Sequence, residues 1–82
     1  MIPTATKDLD DDTEVRAGWA SWDKGKFKDR SIKYCYRTNG KIPRTAPETP
    51  IHALVDMVIF GIEEGEFSPA ELKRLRAAIN KP

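Results

Sequence analysis

The sequence is short of the residues that most often hold metals, form disulfides or cross membranes. Its 82 residues include one cysteine, Cys35, and one histidine, His52. A lone cysteine forms no disulfide within the chain, and one Cys with one His falls short of the four ligands of a structural zinc site. No apolar run reaches the roughly 18 residues that a membrane span needs. We therefore expect no metal, no cofactor and no membrane partner.

The lack of a secretory signal and the short chain narrow the range of possible functions. Residues 1–8 lack the basic and apolar regions of a secretory signal, which predicts a cytoplasmic location. A chain of this length buries only roughly 60–65% of its unfolded surface, so an enclosed active site has little room. Cys35 with His52 as its base is the one nucleophilic pair available, but Cys35 alternates within a strand-like run and is typical of inert packing. We expect a protein that is not an enzyme.

What the sequence does have is segregated charge, although the net charge is only +1. Residues 8–14 carry five acids and no base, and residues 24–44 carry eight bases and one acid. The acidic run resembles the start of a calcium-binding loop, but Thr13 stands where that loop needs Gly and Trp19 where it needs Glu. We predict that residues 1–12 form an acidic flexible tail and that residues 13–82 form one domain.

The first half of that domain is predicted to contain a small β-sheet. Residues 31–37 alternate strictly, with Ile32, Tyr34 and Tyr36 on one face. Asn39-Gly40 then favours a tight hairpin turn with a short return strand over 41–44, and residues 26–28 are a candidate third strand. The spacing of Val15, Trp19 and Trp22, four and then three residues, favours a short helix before the sheet.

The second half predicts two helices. Thr49 is the expected cap of a first helix with Pro50 at its first position, and Gly65 is expected to end it. Its apolar residues recur at helical spacing, at Ile51, Leu54, Val55, Val58 and Ile62. Ser68 and Glu71 predict a capping box for the second helix. We expect an α+β fold, in which a β-ribbon or three-stranded antiparallel sheet packs on a C-terminal antiparallel helical hairpin.

The basic, aromatic stretch is the leading candidate for a binding surface. The predicted binding residues are six bases and two aromatics, Lys24, Lys26, Lys28, Arg30, Lys33, Arg37, Tyr34 and Tyr36. Lys and Arg neutralise phosphates, and Tyr or Phe27 stack on bases, as in proteins that bind single strands. The simpler interpretation of the two tyrosines is core packing against the first helix. The leading hypothesis is a non-enzymatic module that binds nucleic acid or a nucleoprotein complex.

A second hypothesis is a protein–protein interaction or dimerisation module that acts by occluding its partner. Trp19 and Trp22 either cover the core or anchor such an interface, because Trp is prominent in binding hot spots. The first helix carries few polar residues, which favours a protein partner or a homodimer. In size and composition the chain resembles small phage- and plasmid-encoded proteins that bind and block host complexes, although no motif accompanies the resemblance.

Overall fold

The computed structural model describes residues 1–37, 41 and 47–82. Its elements in chain order are β1 (Ile2–Asp8), β2 (Thr13–Trp19), a 3₁₀ turn (Ser21–Asp23), β3 (Arg30–Tyr36), β4 (Glu48–Pro50), α1 (Ile51–Glu63) and α2 (Pro69–Ile79). The α+β class with two C-terminal helices is confirmed, and the sheet has one strand more than expected. The predicted hairpin turn at Asn39-Gly40 and residues 42–44 of its return strand lie outside the described residues.

The sheet is antiparallel throughout, in the order β1, β2, β3, β4. Residues that pair on neighbouring strands have their side chains on the same side of the sheet, and successive residues of one strand have them on opposite sides. Pairing of Val15 with Tyr34 and of Trp19 with Arg30 therefore defines one side, which we call the aromatic face. Its members on β2 and β3 are Thr13, Val15, Ala17, Trp19, Arg30, Ile32, Tyr34 and Tyr36. The other side, the reverse face, carries Glu14, Arg16, Gly18, Ser31, Lys33 and Cys35.

The expected N-terminal tail is wrong, because residues 2–8 form β1 at the edge of the sheet. All seven of its residues are exposed, so their burial gives no periodic pattern. β1 pairs with β2, and its register shifts between Pro3 and Ala5. A Cβ on Gly18 would lie 2.3 Å from the Ile2 carbonyl oxygen, so glycine is what lets the two strands approach here.

The short helix expected between Val15 and Trp22 is also wrong, because this segment is β2 followed by the 3₁₀ turn. Val15 and Trp19 are four residues apart, which fits a helix, but Val15, Ala17 and Trp19 also fit the alternation of a strand. The segment is a strand because it pairs with β1 on one side and with β3 on the other. The third strand proposed for residues 26–28 is wrong too. Phe27 has φ of 56°, in the left-handed region that a strand excludes.

The core is small and lies on the reverse face. Among the described residues, the buried apolar side chains are Ala20 and Cys35, with Cys35 fully buried as packing. Ser31 and Glu14 are buried beside it on the same face. α1 follows β4 directly and lies against β3 and β4. The apolar residues of both helices stay largely exposed, so the fold leaves most of their surface uncovered.

The ends of the helices follow local chemistry. α1 begins one residue later than predicted, with Pro50 rather than Thr49 at the cap position. Gly65, with φ of 70°, ends it, because the amides of Gly65 and Glu66 donate to the carbonyls of Ile62 and Gly61. Ser68 caps α2 and forms the predicted capping box with Glu71. In the described part of the chain, neither helix has the length and apolar character to cross a bilayer.

Candidate nucleic-acid interface

Two tyrosines of β3 stand exposed on the aromatic face. Tyr34 is 47% and Tyr36 is 66% exposed, and their ring centroids are 5.1 Å apart. The simpler interpretation, that they fill the core, is wrong because Cys35 between them occupies the buried side. The pair forms a tilted aromatic surface that is open to a ligand.

The opposite end of the aromatic face carries a second aromatic group, built around Trp19. The Arg30 guanidinium lies 4.7 Å from the centroid of the Trp19 ring, and the Phe27 ring meets Trp19 edge-on at 5.9 Å. Arg30 also donates to the Thr4 hydroxyl at 2.7 Å, which fixes the cation over the ring. Phe27 is 56% exposed, so this group also presents an aromatic surface.

A shallow, mostly apolar depression lies in the aromatic face. It has a volume of about 170 Å³, and Ala5, Lys7, Val15, Ala17 and Ile32 are among its lining residues. Lys7 faces Val15 across the β1 to β2 pairing, which places a cation beside the depression. Lys7 is absent from the binding residues predicted from the sequence, because residues 1–12 are predicted to be a flexible tail. The alternation of Ile2, Thr4 and Thr6 is the signal for a strand that could have found it.

Three lysines belong to one loop that Asp23 organises. The Asp23 carboxylate accepts hydrogen bonds from the amides of Gly25, Lys28 and Asp29 at 3.0–3.1 Å. The Asp29 amide, followed by that of Lys28, holds the pKa of Asp23 below its ordinary value. Lys24 and Gly25 adopt positive φ, which gives the chain a tight turn at this point. We call residues 23–29 the lysine loop; its cations, Lys24, Lys26 and Lys28, are all exposed.

Lys28 and Arg30 also line a concavity at the beginning of α1. Its volume is about 270 Å³, and its lining also includes Trp22, His52 and the acidic Asp29. Trp22 is 45% exposed, and its indole Nε1 donates to Asp29 at 2.9 Å. The two tryptophans therefore differ, since Trp19 is half-buried beneath Arg30 and Trp22 stands at an open rim.

The remaining predicted cations point elsewhere. Lys33 lies on the reverse face, opposite Glu48, and Arg37 follows Cys35 on that side. Arg37 is held by Asp8, and by the Asp10 and Asp11 carbonyls at 3.3 and 2.9 Å. Its hydrogen bond with Asp8 raises the pKa of the guanidinium. The acidic segment thus takes Arg37 out of the candidate surface.

The Cys35 and His52 side chains, the one nucleophilic pair that the sequence offers, lie in different surroundings. Cys35 is fully buried on the reverse face, and His52 is exposed at the first turn of α1. No group of three metal-ligating side chains gathers in the part of the chain that is described. No known protein family, curated protein or solved structure matches this chain.

Proposed function

We propose that this chain is a non-enzymatic cytoplasmic module that binds single-stranded nucleic acid across its aromatic face. The observation that carries the proposal is the exposed pair of Tyr34 and Tyr36 on a sheet face that also presents Arg30 and Lys7. Exposed tyrosines combine a flat apolar ring with a polar hydroxyl, which is why they are common at binding surfaces.

The chemistry of a single strand fits this surface. Unpaired bases expose flat faces, and stacking on an aromatic side chain contributes about 1–3 kcal/mol per base. Tyr36, Tyr34 and the exposed ring of Phe27 supply such platforms at two ends of the face. Lys7 and the lysine loop border it and supply the phosphate contacts. A duplex hides its base faces, which is why we favour the single strand.

The test is fluorescence anisotropy of a labelled single-stranded oligonucleotide, titrated with wild-type protein at several salt concentrations. Tyr36→Ala is expected to weaken binding by about 5- to 150-fold, the equivalent of one lost stacking contact. Lys26→Ala and Lys28→Ala, each as a single variant, are expected to lower the slope of log affinity against log salt by about 0.7, the equivalent of one lost phosphate contact.

Lys33→Ala is the matched control. Lys33 lies one residue from Tyr34 but on the reverse face, so its removal changes the net charge as Lys26→Ala does and leaves the proposed surface intact. Its salt slope should equal that of the wild type. A protein that binds no oligonucleotide at low salt, or one in which Lys33→Ala weakens binding as much as Lys26→Ala, contradicts the proposal.

A protein partner is the second candidate, and the exposed Trp22 favours it. An open, partly aromatic and basic concavity suits an acidic protein surface as well as a phosphate. In this form the chain would act by occluding a nucleoprotein complex, as small phage- and plasmid-type inhibitors do. Trp22→Ala separates the two, because it should abolish capture of a protein partner while the oligonucleotide affinity set by Tyr36 persists.

A further inference from the structure

Helix α1 has a wider apolar arc than its own chain covers. Leu54, Val58 and Gly61 lie on its better-covered side. Beside them runs a row of apolar residues at spacings of four, four and three, which places them on one helical stripe. This outer stripe is 40–52% exposed at every position and consists of Ile51, Val55, Ile59 and Ile62.

The whole chain exposes more surface than a compact monomer of its mass, and the outer stripe is part of that surface. A compact protein of 9.3 kDa exposes about 5,000 Å², whereas this chain exposes 6674 Å². The radius of gyration is 14.3 Å, against about 11.7 Å for a compact chain of this length. The excess of about 1,700 Å² exceeds the 800 Å² or so that each partner buries in a standard stable interface.

We propose that a second copy of this chain covers the outer stripe, with its α1 antiparallel to the first. The stripe is nearly palindromic, so reversal of one helix sets Ile51 against Ile62 of the second copy and Val55 against Ile59. Such self-complementarity is what a two-fold symmetric interface requires. An apolar stripe on both helices also leaves no charge buried at the centre of the contact.

The polar residues that flank the stripe favour the antiparallel arrangement. His52 and Glu63 lie on the same flank at opposite ends of α1. Antiparallel packing puts this flank of both copies on one side of the contact and brings His52 of one copy beside Glu63 of the other, twice per dimer, whereas parallel packing puts the two flanks on opposite sides and forms neither pair. Asp56, on the same flank, lies more than a quarter turn from the centre of the stripe and so stays at the outer rim.

This inference stands independently of the proposed function, because the stripe belongs to α1 and the aromatic face to the sheet. If both hold, the dimer presents two aromatic faces, and a strand long enough to reach both binds more tightly than a short one. A dimer that binds no oligonucleotide would leave the inference intact and contradict only the function.

Sedimentation equilibrium of the full chain tests the inference. The wild type is expected to have twice the chain mass, and Ile59→Lys the mass of one chain. Lys at position 59 lies within helical reach of Asp56 and Glu63, so α1 should keep its helicity, which circular dichroism verifies. Ile79→Lys is the matched control. Ile79 is 80% exposed on α2, so this substitution adds the same charge away from the stripe. It should stay dimeric.

Cysteine cross-linking tests the orientation. Cys35 is fully buried, so a cysteine introduced on the stripe is the reactive one. Ile51→Cys mixed with Ile62→Cys should give the mixed disulfide, and neither variant alone should cross-link. A disulfide between two copies of Ile51→Cys overturns the antiparallel arrangement. A monomeric wild type, or dissociation by Ile79→Lys with Ile59→Lys still dimeric, overturns the interface itself.

Discussion

At the residue scale, Glu48 connects three separate parts of the fold. One carboxylate oxygen accepts from the Ser21 amide at 3.1 Å and from the Ser31 hydroxyl at 2.9 Å, and the other accepts from the Ser21 hydroxyl. The side chain is only 11% exposed. Burial alone would raise the pKa of Glu48, but the hydrogen bonds from Ser21 and Ser31 overcome it and hold the pKa below its ordinary value.

Replacement of Glu48 should therefore cost stability in a pH-dependent way. Glu48→Ala leaves the fully buried Ser31 hydroxyl without its acceptor, which costs about 1–3 kcal/mol in urea unfolding. Because the folded pKa is depressed, the stabilisation by the charged group is complete above about pH 5 and disappears as the pH falls through the folded pKa.

Glu48→Gln isolates the charge in this experiment. Its deficit against the wild type should be present at neutral pH and shrink as the pH is lowered through the acid range, since the wild-type carboxylate then becomes neutral as well. Glu66→Gln, at an exposed site between the helices, is the control and should keep the wild-type profile. An equal deficit at every pH would show that the charge of Glu48 contributes nothing.

At the scale of elements, the lysine loop depends on a single carboxylate. Asp23→Ala removes the acceptor shared by three loop amides, so the lysines should lose their fixed positions while the sheet stays folded. The amides of Lys28 and Asp29 are expected to exchange faster with solvent, and oligonucleotide affinity to fall about two- to tenfold from added ordering cost. Faster exchange with unchanged affinity would show that the loop does not contribute to binding.

The end of α1, the start of α2 and β3 could be predicted from the sequence, whereas β2 could not. The capping box at Ser68 and the helix end at Gly65 were predicted correctly, because each depends on hydrogen bonds between residues close in the chain. β3 was predicted correctly because alternation follows from one buried side. β2 was not predicted, because the spacing of Val15 and Trp19 fits both a helix and a strand. Only the pairing with β1 and β3 decides between the two.

The predicted binding residues were grouped because basic residues are concentrated in one stretch of the chain. The alternation of side chains along β3 divides that group between two faces of the sheet. Tyr34 and Tyr36 were correctly predicted to share a face. The same period of two already places Lys33 and Arg37 on the opposite side of β3, so their separation from the tyrosines was readable from the sequence. The ion pair between Arg37 and Asp8 could not be predicted from the sequence, because it forms only when β1 pairs with β2 in the sheet.

At the scale of the whole molecule, stability is limited by how little the chain buries. If the second copy covers α1, folding and association are coupled, and the midpoint of thermal unfolding should rise by about 3–6 °C for each tenfold increase in protein concentration. Calorimetry over a concentration series checks this. Ile59→Lys should unfold at a lower temperature that does not change with concentration, and an unchanging wild-type midpoint contradicts the coupling.

The irregularity in β1 has a consequence for how this protein behaves when crowded. β1 is a sheet edge with every residue exposed, and such an edge is a template on which further chains can add and grow into fibres. The shift between Pro3 and Ala5 breaks the regular ladder, Pro3 offers no donor, and the charges of Lys7 and Asp8 repel their equivalents in a stacked copy. The edge therefore resists the addition of further chains that would lead to fibres.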